Sequence, residues 1–591
     1  MEQPTTKLPE KVTEYFPYSS VRPLQDVFTR TIFEAVQNRN HAILEGSNGL
    51  GKTVAALSAC LPTAKEQKLS IIYTAKTHRQ HDRVIEELTA ISGKKVVSGI
   101  SIRGRQEMCF HPFIVRHAPD ATSAMEICEL LKARGQCPYH RNIQEKPERF
   151  AELQSHISSS PYTAPEIQEI CRAEGFCPYE LIKLLIGETD VMAMSYLYVF
   201  HPTIRNAFLK HLEKPLSQVI LIVDEAHNLP EAAIEIASDQ LSLFAVRQAE
   251  QEAKKHNYRD IAFFSAQLEA IIEKTAKQVK KEARVSPDRL VETIRTKAGI
   301  DDPLTFFDYL HDTGNLIKRS LLTEGKYPRS YIHRLGEFLS KWLETIKDVS
   351  VTHLLSKYLM KSGVPSSRLE IVALDPSKIT APVFSSVYCS INISGTLEPL
   401  ESYLKITGLP QTTIQRAVPS PFPREHILSL TCCGVTTAMK QRTRSMYKRM
   451  VKRVAEVVRY TPANVGVFTP SYEVLEALLE AGLKKAIDKP LLSEQRGMSS
   501  RKNDQLISRF KSYAKQGGAV LLGVQGGRSS EGADYPGDQM NAVVVVGVPY
   551  AEPSPRIDAQ IEYYEDCFLG HGREYGYVLP ALKKASQAAG R

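Results

Sequence analysis

Tryptophan is nearly absent, with Trp342 the only one in 591 residues. Long apolar runs are missing as well. No stretch reaches the about 20 residues that a membrane-spanning helix needs, and the opening MEQPTTKLPEKV has no apolar signal core. A soluble, intracellular protein is therefore expected, with no membrane partner. Cysteine is sparse: ten residues in this length do not make a disulfide framework. There is no low-complexity tract, no evident repeat and no tail of one charge. A formal net charge of +9 is modest, so nucleic-acid binding is permitted and not demanded. The length exceeds single-core size and predicts about three or four domains.

What is present begins with Gly46-Ser47-Asn48-Gly49-Leu50-Gly51-Lys52-Thr53, a complete match to G-x-x-x-x-G-K-[ST]. Its glycines free the backbone to curl successive N–H groups around an anion. Lys52 supplies a point charge for outer phosphates, and the Thr53 hydroxyl can ligate Mg²⁺. A short buried strand over 41–45 and a helix opening at Thr53 supply the context, the helix N-terminus adding its attraction for phosphate. Upstream, the Gln25 amide offers a donor and an acceptor to an adenine edge.

A second buried strand, near 70–74, ends in Ala75-Lys76-Thr77-His78-Arg79-Gln80. This polar run suits phosphate contacts, or simply opens a helix. The aliphatic run Val219–Val223 reads as a strand buried on both faces, as in a parallel sheet. It delivers Asp224, Glu225 and His227 at its carboxyl end. Asp224 suits Mg²⁺, Glu225 suits orienting or deprotonating a water, and His227 can couple the site to its neighbours. Further strands are expected near 189–194 and 387–393, and in a second alternating unit at 465–469, 519–523 and 542–547. The fold class is α/β. Residues 231 to about 370 have a helical pattern, in which Trp342 falls on a buried face with Leu335, Phe338 and Leu339.

Five of the ten cysteines fall between 109 and 177. They are Cys109, Cys128, Cys137, Cys171 and Cys177, in a segment with little apolar periodicity. Such a module needs a staple, which in a reducing compartment is a metal or a cluster. Four thiolates fit zinc or [4Fe–4S], and the long irregular gaps, without a C-x-x-C pair, lean towards the cluster. Buried cysteines without a ligand are the remaining reading. Spacing does not choose between Cys171 and Cys177.

The order of motifs resembles the XPD-like iron–sulfur helicases of superfamily 2. It rests on GSNGLGKT at 46–53, TAKTHRQ at 74–80, DEAH at 224–227, SGTL at 394–397, VFTPSY at 467–472, GGRSSEGAD at 526–534 and QAAGR at 587–591. The resemblance implies two RecA-like motor domains with ATP and Mg²⁺ between them. The first would comprise 1–100, 179–235 and 371–400, and the second 401–591. An iron–sulfur domain (101–178) and a helical arch domain (236–370) would grow from the first. It implies a [4Fe–4S] cluster on Cys109, Cys128, Cys137 and Cys177, with Cys171 a bystander. Arg22, Gln25, the phosphate loop, Asp534 and Gln587 would hold the nucleotide. Catalysis would fall to Lys52, Asp224, Glu225, His227 and Arg591. Lys76, Thr77, His78, Thr396, Tyr472 and Arg528 would line the DNA path. The implied activity is ATP-dependent, 5′ to 3′ unwinding by a monomeric motor on single-stranded and forked or junction DNA, in nucleotide excision repair. The location would be cytoplasmic in a prokaryote and nuclear in a eukaryote. The family's last motif runs Gln-x-x-Gly-Arg-x-x-Arg, and the sequence stops at its first arginine. A sequence ending within a longer chain is expected. The alternative is a DNA-binding or damage-recognition scaffold with a vestigial ATPase.

Overall fold

The computed structural model describes residues 7–118, 120–324, 326, 328–360, 363–531 and 533–591. The first six residues of the amino-terminal reading thus lie outside the described part. In chain order the strands are β1 (Ala42–Gly46), β2 (Ser70–Ala75), β3 (Gly99–Ser101), β4 (Pro161–Tyr162), β5 (Val191–Ser195), β6 (Val219–Asp224), β7 (Asp239–Ser242) and β8 (Glu282–Arg284). Then follow β9 (Val351–Leu359), β10 (Pro365–Ala373), β11 (Cys389–Ser394), β12 (Ile414–Val418), β13 (Val465–Thr469), β14 (Leu491–Ser493), β15 (Val520–Val524) and β16 (Ala542–Val545).

Eight strands form one parallel sheet in the order β12-β1-β11-β6-β2-β5-β3-β4. Its central strands are aliphatic because helices cover both faces, and Val219 to Val223 are fully buried. Register sets the functional edge. Glu45 pairs with Ser394, Ile393 with Asp224, and Thr74 with Val223. The loops after β1, β2, β6 and β11 therefore leave from one edge, the carboxyl edge where ligands of open α/β sheets bind. β12 belongs to this sheet through β1. The first sheet thus runs to Val418, past the 371–400 segment read from sequence. The helix Leu400–Thr407 makes the crossover that returns the chain to it.

Between β3 and β5 lie short helices and the two-residue edge strand β4. Their small apolar cluster includes Ile114, Ile127, Cys128, Leu131 and Cys137. After β6 comes the helical insert. It also holds an antiparallel sheet, β7-β10-β9-β8, which the helical reading missed. Trp342 is wholly buried there, its ring 4.5 Å from that of His353. A second parallel sheet, β14-β15-β13-β16, makes the carboxyl-terminal unit. Among the described residues no helix is long and apolar enough to cross a membrane.

Candidate nucleotide site and cysteine pocket

The phosphate loop leaves β1 at Gly46 and enters the helix Lys52–Gln67. Leu50 is fully buried and anchors the loop tip from inside. Gly51 has φ +80°, and a Cβ there would stand 2.5 Å from Gln25 Nε2. Only glycine lets the backbone turn and Gln25 approach together. The buried Gln25 amide donates to Gly51 O at 3.3 Å, and its carbonyl accepts from Arg22 N at 3.0 Å. Arg22 donates to Gly49 O. Lys52 Nζ reaches back to Gly46 O at 3.1 Å.

Asp224 and Glu225 follow on β6. The Asp224 carboxylate accepts from Glu225 N at 2.8 Å. Burial, then the adjacent Glu225, pushes Asp224 up to about 6. For Glu225 burial acts upward, but His227, Lys52, Arg591 and Ser394 together hold it below the ordinary carboxylate value. Glu225 takes a left-handed backbone conformation at φ 47°, a strain of the kind that clusters at functional sites. Tyr196 braces the turn, its hydroxyl donating to Asp224 O and Glu225 O.

A relay leads out of this pair. Ser394 Oγ donates to Glu225 Oε2 at 3.2 Å and accepts from His227 Nδ1 at 2.6 Å. His227 Nε2 accepts from Gln587 of the carboxyl-terminal unit. Burial pulls His227 down to about 4, which keeps it neutral and suits this acceptor role. The last helix also sets Asn48 Nδ2 on Gly590 O at 3.3 Å. Around the loop, the buried hydroxyls of Ser47 and Thr396 lack a hydrogen-bond partner among the described residues, while Tyr73 meets Thr53 and Asp224. Unpaired buried polar groups at a curled, glycine-rich loop fit a phosphate with its Mg²⁺.

Other expected residues are engaged differently. The Thr77 hydroxyl caps the helix His78–Ser92 through Gln80. Lys76 Nζ donates to Asn228 Oδ1 at 3.0 Å and stands 3.6 Å from Glu531, across the two units. His78 is lowered by burial and then by Arg103. Tyr472 opens its helix with Arg496 5.6 Å over the ring. Arg528 pairs with Asp504 at 3.4 Å, and Asp534 with Arg83 at 3.5 Å. Arg591 spends its guanidinium on the carbonyls of Ser530, Glu531 and Ala533 within its own unit.

Two carboxylates escaped the sequence reading. Glu45 accepts Leu397 N and, at 2.6 Å, Glu398 N, fixing the loop after β11. Buried Glu494 accepts Val524 N at 2.9 Å and Ser529 Oγ at 2.5 Å, fixing the glycine-rich loop that carries Arg528. Neither sits in a motif, so only its position at a strand end could have marked it.

Cys109, Cys128, Cys137 and Cys177 line one pocket with Arg105, Lys132 and Tyr179. Cys171 is elsewhere, buried in the core of the large sheet with Phe176. Both Cys-Pro-Tyr runs place the thiol at a helix start, before Pro138–Glu145 and Pro178–Leu185. Helix N-termini and nearby cations favour thiolate. Burial nevertheless pushes Cys128 up to about 11 and Cys177 up to about 12. Among the described residues no three His, Cys, Asp or Glu close around a single metal ion. Four thiols on one pocket are a donor set of the kind an iron–sulfur cluster takes.

Three family models cover most of the chain. Residues 73–245 match DEAD_2, 245–461 the Helical and beta-bridge domain, and 454–591 the Helicase C-terminal domain. The chain is similar to the ATP-dependent DNA helicase XPD of Sulfolobus acidocaldarius, at 22% identity over 97% of this chain and 93% of that protein. It is 22% identical to the general transcription and DNA repair factor IIH helicase subunit XPD of Schizosaccharomyces pombe, over 98% of this chain and 85% of that one. A solved structure described as XPD_Helicase matches with a TM-score of 0.64 at 20% identity, over 97% of this chain and 93% of that one.

Proposed function

The chain is an XPD-like superfamily 2 helicase, and on that premise we propose that it hydrolyses ATP to move 5′ to 3′ along single-stranded DNA and unwind duplex junctions in DNA repair. One observation carries the mechanism: the relay from Glu225 through Ser394 and His227 to Gln587. It links the group beside the phosphate loop to the second parallel unit, so a change at the phosphate is felt across the cleft.

In this reading Lys52 and the loop amides hold the phosphates, and Thr53 and Asp224 hold Mg²⁺. Glu225 orients the attacking water, and Gln25 with Arg22 receives the base. Closure brings Gln587 and Arg591 towards the nucleotide, and hydrolysis releases them. Lys76, Thr77, His78, Thr396, Tyr472 and Arg528 line the DNA path. Contacts to phosphate there give sequence-independent grip. Cys109, Cys128, Cys137 and Cys177 would hold a [4Fe–4S] cluster, which when bound staples a module whose own apolar core is small. The motor acts as a monomer on single-stranded and forked DNA.

Lys52→Ala is expected to remove DNA-stimulated ATP hydrolysis without loss of fold, read by phosphate release and circular dichroism. Undiminished turnover in that variant would sink the motor reading.

A further inference from the structure

The segment after β12 runs Ser420-Pro421-Phe422-Pro423 and leads into the second unit at the helix Arg444–Tyr460. Phe422 returns to the phosphate loop. Its ring lies where a side chain at Gly49 would be, with Cζ 2.9 Å from the position a Cβ would take. Gly49 stands at φ +86°, so the loop both turns and receives the ring because it has no side chain there. One part of the ring thus covers the loop. Phe422 as a whole remains 51% exposed. Prolines on both sides restrict its backbone, and Ser420 Oγ accepts Phe422 N at 3.3 Å. An aromatic side chain is therefore held ready over the loop with apolar surface open to solvent.

Two polar groups meet the same loop tip. Arg22 donates to Gly49 O, and Gln25 Nε2 donates to Gly51 O at 3.3 Å. An amide edge, a guanidinium and an aromatic face thus gather on three residues of the loop backbone, Gly49 to Gly51. That combination suits a planar heterocycle with hydrogen-bonding edges, which stacks on the ring and offers its rim to the polar groups. We propose that Phe422 is the stacking wall for the base of the bound nucleoside triphosphate, and so a binding residue supplied by the segment that joins the two parallel units. The proposal rests on the nucleotide reading above and adds the residue that distinguishes a nucleotide from bare polyphosphate. It also places that wall on the connector, so base binding and the relative position of the units share one element.

The test uses the full chain with Phe422→Ala, Phe422→Leu and Phe422→Tyr. It measures KM and kcat for ATP, and inhibition by ADP and by tripolyphosphate, which has no base. In the alanine and leucine variants KM and the ADP inhibition constant are expected to rise about tenfold, the scale of one lost base–aromatic stack. Here kcat stays within about twofold. Tyrosine restores both constants, and tripolyphosphate inhibition is the same in all proteins. Leucine keeps apolar bulk without the aromatic face, so it answers the question if alanine unfolds. Parallel shifts for ADP and tripolyphosphate would overturn the proposal and make the ring a brace for the loop. A fall in KM would overturn it too, making the ring a plug. Loss of all hydrolysis in the unsubstituted chain would instead count against the nucleotide reading, so the two failures are separable.

Discussion

The carboxyl-terminal unit touches the rest of the molecule in two unlike ways. Across the nucleotide cleft the contacts are single and sparse: Gln587 on His227, Asn48 on Gly590 O at 3.3 Å, Lys76 near Glu531 at 3.6 Å, and Arg83 near Asp534 at 3.5 Å. Orphaned hydroxyls lie on the first unit's side of this cleft. Against the insert's antiparallel sheet, the helix Pro555–Phe568 and the residues just before it are tied at many points. Arg556 pairs with Glu370 at 2.7 Å and with Glu282, Lys281 with Glu552 at 2.9 Å, and Arg284 with Glu562 at 2.7 Å. Tyr563 donates to Asp375 at 2.9 Å, and Ala559 packs with Leu354, Val372 and Leu374. The exposed pairs add little each, but Glu370 is buried and the apolar patch is withdrawn from solvent. One joint is inexpensive to open, and the other holds the unit while it opens. A motor needs both.

Breaking the chemistry at the first joint should give the largest effect. Glu225→Gln removes the proposed water-orienting carboxylate and is expected to lower kcat by about a thousandfold or more. Thermal stability should change far less than turnover, because relief of the Glu225 repulsion that adds to burial in raising Asp224 offsets the loss of Glu225's own contacts with His227, Lys52 and Ser394. A destabilised variant with preserved turnover would reverse the assignment of the two joints.

The second joint should give the opposite pattern. Arg556→Ala leaves Glu370 and Glu282 without their shared partner. The cost is on the order of 3 kcal/mol, softened where Arg368 and Ser356 still meet Glu370. Basal ATP hydrolysis should persist, while proteolysis or hydrogen exchange should show the helix 555–568 loosened. Equal losses of turnover and stability would mean that the joints are not distinct.

Legibility in the sequence followed the same division. The parallel sheets were readable because strands such as Val219–Asp224 are uniformly aliphatic, and the phosphate loop because its residue types are dictated by backbone geometry. Trp342 was readable as core from helical spacing. The insert's sheet was not. β9 and β10 carry polar residues such as Ser356, Arg368 and Glu370, which bond one another across the two strands, and Glu370 takes a further partner in Arg556, 186 residues away. Glu45 and Glu494 were invisible for a related reason. Each serves backbone N–H groups of a distant loop, and nothing local marks it. Strand ends shifted by a residue or two, and the short β12 was not read as a strand because only its pairing with the distant β1 defines it.

Acid should separate the joints with the smallest effect. Burial holds His227 at about 4, below the ordinary histidine value of about 6.5. The unfolded chain therefore binds more protons between those values, so the stability tied to neutral His227 is full above about 6.5 and lost as pH falls towards about 4. Protonation also takes away the Nε2 lone pair that accepts from Gln587. Glu370 has the same sign in a lower pH window. Burial acts upward, but Ser356, Arg556 and Arg368 hold it below the ordinary carboxylate value, so its contribution survives until pH drops under about 4.5. His353, also held at about 4, faces Trp342 on β9, while its neighbour Leu354 packs with Ala559. Hydrogen exchange, corrected for intrinsic rates, is expected to show the helix Leu579–Ala589 opening up to about tenfold more at about pH 5 than at about pH 7, with Pro555–Phe568 unchanged. In Gln587→Ala the increment should vanish, because the bond it measures is already gone. An increment that persists there would detach the acid response from the relay.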